Sequence, residues 1–269
     1  MSLTTWLNGY LVSAGDAKID PSDRGLLLGD GLFETIRVKN AAPINLERHL
    51  GRFRNGASLL EIPIPFDDYD LTLGISQLIA ANPSSTGVVR LTLTAGPGIR
   101  GLTRSRDLRP TLLMTASVIS RSPRFSSMVI ARSTRRNEHS PLCRVKVLGY
   151  GDQILARREA EAQGADDAIM LNTAGELVCA TAANILLRQG RTWFTPPVAS
   201  GALPGITRGM LIEVGLVSER PLFPADLLKA DQLLLVNALG VREVARAENV
   251  AFRPRPELIL TLEAKLGLR

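Results

Sequence analysis

The chain has 269 residues, an ordinary 45% hydrophobic share and a net charge of +6, enough for one large domain or two modest ones. No apolar run is long enough to cross a bilayer, and the basic residues are scattered without interleaved aromatics, which excludes a nucleic-acid-binding tract. Two cysteines, Cys143 and Cys179, and two histidines are too few for a disulfide framework or metal-ligand spacing.

The first elements form a hairpin, Thr5–Leu7 and Tyr10–Val12, around Asn8-Gly9, the strongest local turn signal. The N-terminus lacks the basic-then-apolar pattern of a secretory signal, so a cytoplasmic protein is expected. A second strand pair flanks Lys39-Asn40. Asn45 is placed to cap a helix over Leu46–Phe53, and Phe66–Ala81 has apolar residues at helical spacing. Val88–Ala95 alternates, with Val88, Arg90, Thr92 and Thr94 set against Val89, Leu91, Leu93 and Ala95. It predicts a strand that pairs with Leu112–Val118. The polar run Ser120–Arg124 is the best linker. Beyond it come a strand at Met128–Ala131, a helix over Gly151–Gln163, a strand at Ala168–Leu171, a turn at Thr173–Glu176 and two further strands. A helix near Gly205–Val214 and a strand at Leu233–Val236 follow. No internal repeat interrupts this mixed α/β pattern. It predicts two domains, 1–120 and 121–269, the second carrying Lys146, with any active site in the crevice between them.

Three pieces carry candidate chemistry. Lys146 lies in Arg144-Val145-Lys146-Val147-Leu148-Gly149-Tyr150. Apolar neighbours depress an amine's pKa and free it to attack an aldehyde, although a lysine so placed also snorkels readily to solvent. Leu203–Arg208 sets a glycine, a hydroxyl and free backbone N–H groups where a helix begins. That arrangement receives an anion or forms an ordinary cap. Arg52 offers a planar fork to a phosphate, or is a surface arginine.

Together and in this order, these pieces resemble the class-IV aminotransferases, pyridoxal-phosphate enzymes. Asp23–Thr35 is similar to the family's N-terminal motif, as is His49-Leu50-Gly51-Arg52. Lys146 with Gly149-Tyr150 and Ala156–Ala160 resembles the cofactor-lysine motif, and Ala180–Ile185 and Leu203–Arg208 resemble two later ones. The resemblance implies a mixed α/β, two-domain fold of the branched-chain or D-amino-acid aminotransferase type and a homodimer acting on a small amino-acid-like substrate. It implies that Lys146 holds pyridoxal phosphate as a Schiff base and moves protons. Arg52 and the backbone of Ile206, Thr207, Ala238 and Leu239 would bind the phosphate, and Tyr150 would meet the ring hydroxyl. Arg100 would grip a substrate carboxylate, with Glu34 and Thr35 lining the pocket.

Within the family the chain is most similar to 4-amino-4-deoxychorismate lyases, in the glycine-rich Gly96–Gly101, in Arg135–Leu142 and in Asn237-Ala238-Leu239. The resemblance implies release of p-aminobenzoate and pyruvate on the folate pathway. A D-amino-acid or branched-chain aminotransferase is the alternative. One position departs from the family: Cys179 stands where a glutamate pairs with the pyridine nitrogen, five residues before Asn184. Glu176 lies at an odd offset from it and should face the other way. A neutral thiol makes the ring a poorer electron sink, which favours an expulsion over transamination or leaves a cofactor-binding homologue of weak activity. Cys179 can equally be a small buried residue within an otherwise working site.

Overall fold

Asn8 and Gly9 both hold positive φ, 48° and 100°, the backbone that a two-residue hairpin turn demands. They join strands β1 (Thr4–Leu7) and β2 (Tyr10–Ser13), as the sequence predicts. The computed structural model describes residues 3–83, 87–119 and 125–267; the linker expected at 120–124 lies outside them. Two compact units result, Met1–Ser120 with Val145–Gly149, and Arg121–Arg144 with Tyr150–Arg269. The lysine segment therefore belongs to the first unit, which corrects its expected place in the second. The cause is backbone pairing: Phe33 N–H donates to Lys146 O at 2.9 Å and Leu148 N–H to Gly31 O at 3.0 Å.

The first unit continues with α1 (Arg24–Leu28), β3 (Gly31–Lys39), β4 (Ala42–Pro43), α2 (Leu46–Leu59), α3 (Asp68–Ala81), β5 (Val88–Thr94) and β6 (Thr111–Ser117). Its sheet is antiparallel, in the order β2-β1-β6-β5-β3-β4. Leu32, Ile36 and Val38 of β3 and Val89, Leu91 and Leu93 of β5 are buried in one core with Leu50 and Phe53 of α2 and Leu71, Ile75 and Leu78 of α3. The strand period of two sends Phe33, Thr35, Arg90 and Thr92 to the other face. Helix α3 starts at Asp68 rather than Phe66, because the Asp67 carboxylate accepts from Asp70 N–H at 2.8 Å and caps it. Asn45 precedes α2 with φ 54° and makes no side-chain cap bond, contrary to expectation. Helix α2 also outruns the predicted Phe53, since Gly56 and Ala57 prolong its buried face.

The second unit comprises β7 (Phe125–Ile130), α4 (Gly151–Ala162), β8 (Asp167–Leu171), β9 (Leu177–Ala180), β10 (Asn184–Gln189), β11 (Thr192–Thr195), α5 (Ile206–Glu213), β12 (Val217–Glu219), α6 (Pro224–Leu227), β13 (Gln232–Asn237), β14 (Gly240–Ala247), β15 (Val250–Ala251) and α7 (Pro256–Lys265). Its strand order is β12-β11-β10-β13-β14-β7-β8-β9, and β15 pairs with β14. Strand β9 also meets β10 through Cys179 and Asn184, so the strands from β10 round to β9 close into a ring. Ile169, Ile185, Leu187, Leu233, Leu235 and Val244 fill a core of this unit. Helix α4 packs through Ala156 and Ala160 onto Val129, Ala168 and Met170; these small residues let helix and sheet approach closely.

Candidate active site

Lys146 pairs through its backbone with β3, so its position is fixed by a strand and not by a loose loop. Its Nζ stands 4.1 Å from the centre of the Phe33 ring, and the Arg90 guanidinium carbon lies 3.6 Å from the same centre. Burial above all, then the positive charges of Arg52 and Arg90, pull the Lys146 amine down to about 8, while Glu34 opposes them. With the pKa at about 8, about a tenth of this amine is neutral at pH 7, far more than for an ordinary lysine, which makes it a nucleophile.

Arg52 of α2 reaches Glu34 of β3. Its Nε donates to Oε1 at 2.7 Å and its Nη2 to Oε2 at 2.8 Å. Nδ1 of the buried His49, one turn earlier, lies 2.8 Å from the same Oε2. Burial alone would raise the Glu34 carboxyl, but hydrogen bonds and charge from His49 and Arg52 hold it at about 2. Glu34 is only 1% exposed, so it does not line a pocket beside Thr35 as expected. Neighbouring strand residues face opposite ways, and Glu34 shares the core row of Leu32 and Ile36 whereas Thr35 does not.

Arg90 is the residue the sequence reading missed. Its signal was present, an arginine on the polar row of an alternating strand. Arg100, in contrast, is exposed on the loop after β5 and is not among the charges that act on Lys146. Its loop is tied down by Arg24, which donates to Gly101 O at 3.0 Å and Leu102 O at 2.9 Å and pairs with Asp30.

In the second unit, Ile206 and Thr207 open α5, with Gly205 at its cap position. The N–H groups of a first helical turn have no acceptor within the helix, so this turn suits an anion. Asn237 organises the surroundings. Thr207 Oγ1 donates to its carbonyl at 2.8 Å, its Nδ2 donates to Ala182 O at 3.1 Å, and its Oδ1 accepts from Leu239 N–H at 2.9 Å. The Leu239 N–H, expected to meet the phosphate, is thus engaged by Asn237, a correction that leaves Ala238 of that pair. Asn184 Nδ2 donates to Leu203 O at 3.0 Å and fixes the approach to Gly205. Tyr150 occupies the cap position of α4, half-buried.

Cys179 lies between Met170 of β8 and Asn184 of β10. Burial pushes its thiol up to about 11 against the pull of Arg136, so it is neutral at pH 7. The Glu176 carboxylate accepts from Ser200 Oγ and Asn172 Nδ2, which occupies it elsewhere. Among the described residues, no cluster of His, Cys, Asp and Glu could hold a metal ion, and no helix is long and apolar enough to cross a membrane.

Comparison with known proteins matches residues 31–247 to amino-transferase class IV. A Methanocaldococcus jannaschii protein named "Putative branched-chain-amino-acid aminotransferase" is 34% identical over 239 residues, covering 86% of this chain and 82% of that one. The crystal structure of 4-amino-4-deoxychorismate lyase from Pseudomonas aeruginosa is 29% identical, covers 97% of each chain and superposes with a TM-score of 0.82. A branched-chain aminotransferase from Thermoproteus uzoniensis, 24% identical, covers 100% of this chain and 96% of its own with a TM-score of 0.91 and shows the same fold. With the match spanning most of its length, the chain is an enzyme of the class-IV aminotransferase family.

Proposed function

We propose that this enzyme is a pyridoxal-phosphate-dependent lyase that cleaves 4-amino-4-deoxychorismate to p-aminobenzoate and pyruvate. Each unit by itself offers donors that suit such a cofactor: in the first, a desolvated amine at Lys146 for an aldehyde and Arg52 for a phosphate; in the second, the first turn of α5 for an anion. The departure from the family is at Cys179, which offers a ring nitrogen a neutral thiol and no carboxylate.

That thiol, held up at about 11, is the observation that carries the lyase over the transaminase. When bound, the cofactor supplies an aldehyde for amines and a ring that accepts electrons. A reaction that sheds its electron pair promptly onto a leaving group relies less on that acceptance. Here Lys146 takes the proton from the amine-bearing carbon. The C–O bond to the enolpyruvyl group breaks, the six-membered ring becomes aromatic, and enolpyruvate leaves with the bonding pair and gains a proton to give pyruvate. Arg90 and Arg100 supply positive charge for the two substrate carboxylates. The relative named as a lyase supports this reading.

The exposed Leu26, Leu27, Leu28, Ile99 and Leu102 of the first unit support a homodimer, with the enzyme serving folate synthesis in the cytoplasm. The second reading, a branched-chain or D-amino-acid aminotransferase, is favoured by the 34% identical relative. Incubation of cofactor-loaded protein with 4-amino-4-deoxychorismate decides between them. Equal release of p-aminobenzoate and pyruvate, lost in Lys146→Ala, is expected. Neither product, with amino-group exchange onto pyruvate or 2-oxoglutarate instead, overturns the lyase.

A further inference from the structure

The core-facing row of β3 runs Leu32, Glu34, Ile36, Val38, and all four are buried. A lone carboxylate in such a row carries a desolvation penalty unless it is fully paired, and an apolar residue there is often as stable. Structure alone therefore gives no reason for a charge at this position. Its partners do. Two of the three contacts on Glu34 come from Arg52, at 2.7 and 2.8 Å, and the third from His49 at 2.8 Å. Because the carboxylate is ionised, the imidazole Nδ1 carries the hydrogen and donates it.

We infer that Glu34, steadied by His49, is a positioning residue that fixes the Arg52 guanidinium in the orientation in which it receives the phosphate of the cofactor held by Lys146. The inference rests on the cofactor reading above. A long arginine side chain loses much rotamer freedom when it grips a ligand, and Glu34 imposes that order before the ligand arrives. The same carboxylate also offsets Arg52 and Arg90 in the field that acts on the Lys146 amine.

The test compares pyridoxal phosphate with pyridoxal, which lacks the phosphate, as ligands of the wild-type protein and of Glu34→Gln. Uptake on Lys146 is located by borohydride reduction and peptide mass. Glu34→Gln keeps the side-chain shape and removes the charge. Its affinity for pyridoxal phosphate is expected to fall about tenfold or more, while that for pyridoxal changes little. The pH midpoint of the Lys146 reaction with pyridoxal is expected to move down, since an anion beside the amine is gone; a merely structural role would not move it. Should Glu34→Gln not fold, His49→Phe leaves the Arg52 grip but removes the third contact, and is expected to show the same selective loss by a smaller factor. Equal loss of both ligands, or of neither, overturns the inference alone. A wild-type protein that takes up neither on Lys146 overturns the cofactor reading and this inference with it.

Discussion

The amine of Lys146 faces the ring of Phe33 at 4.1 Å, a contact that favours the charged form, yet its pKa lies at about 8 and not at the usual 10.5. Desolvation and two arginines outweigh the ring and Glu34. The folded protein therefore binds this proton less tightly than the unfolded chain. The penalty is fully present below pH 8, where both states are protonated, and it vanishes as pH rises through 10.5, where both are neutral. From the size of the shift it amounts to about 3 kcal/mol. Lys146→Met should stabilise the cofactor-free protein by up to that amount at pH 7, with the gain fading by pH 10. Urea unfolding of both proteins at the two pH values measures it. A loss of stability at pH 7 would show that the amine is comfortably solvated.

The cap of α5 makes a second prediction. A Cβ added to Gly205 would lie 2.0 Å from Asn184 Oδ1, an overlap that neither the strand-held Asn184 nor the helix can relieve without moving. Gly205→Ala should shift the first turn of α5 and weaken pyridoxal phosphate binding by about tenfold or more, the loss of roughly one charge-assisted hydrogen bond. Gly51→Ala is the contrast. Gly51 lies within α2, exposed, with nothing within 4 Å of an added Cβ. That change should stabilise the fold by about 0.5–1 kcal/mol. Equilibrium dialysis with the cofactor and urea unfolding separate the two effects.

Much of this was legible in the sequence, and the exceptions have physical causes. The Asn8-Gly9 hairpin and helices α2 to α4 follow from turn chemistry and periodicity. Helix α1 was invisible because it is five residues long and leaves Leu26, Leu27 and Leu28 exposed, so it has no amphipathic pattern. Strand β14 escaped because a register shift between Val244 and Arg246 breaks its alternation. In the site, Lys146 and Arg52 came from ordered motifs. The burial of Glu34 could have been read from its even spacing with Leu32, Ile36 and Val38, whereas the hold of Asn237 on Thr207 and Ala182 joins distant strands and had no local signal.

Asp23 predicts a large cost far from any reacting atom. It is fully buried and accepts from Gly25 N–H at 2.8 Å, Thr94 Oγ1 at 2.9 Å and Thr111 Oγ1 at 2.7 Å. It thereby caps α1 and ties it to β5 and β6. Asp23→Ala leaves three donors without their acceptor in a buried place, at a cost of about 3 kcal/mol or more. Chemical denaturation should show this as a lower midpoint, and a change under 1 kcal/mol would mean that water replaces the carboxylate.

Cys179 gives the prediction that bears on reaction type. Its thiol stays neutral through pH 7 because burial pushes it to about 11. Cys179→Glu puts an acid in a place where burial outweighs the pull of Arg136 on the thiol and disfavours an anion, so its carboxylate depends on a protonated ring nitrogen as its partner. A carboxylate hydrogen-bonded to a protonated ring nitrogen is worth roughly 1.5–3 kcal/mol, or about ten- to a hundredfold in rate if realised in the transition state. Transamination should gain most of that, because it depends on the ring to hold an electron pair; the elimination should gain less, because its leaving group removes the pair. The measurement is the ratio of amino-donor exchange to p-aminobenzoate release in the two proteins. A ratio that rises at least severalfold ties the choice of reaction to this one side chain. An unchanged ratio with intact cofactor binding would place that choice elsewhere than at this side chain.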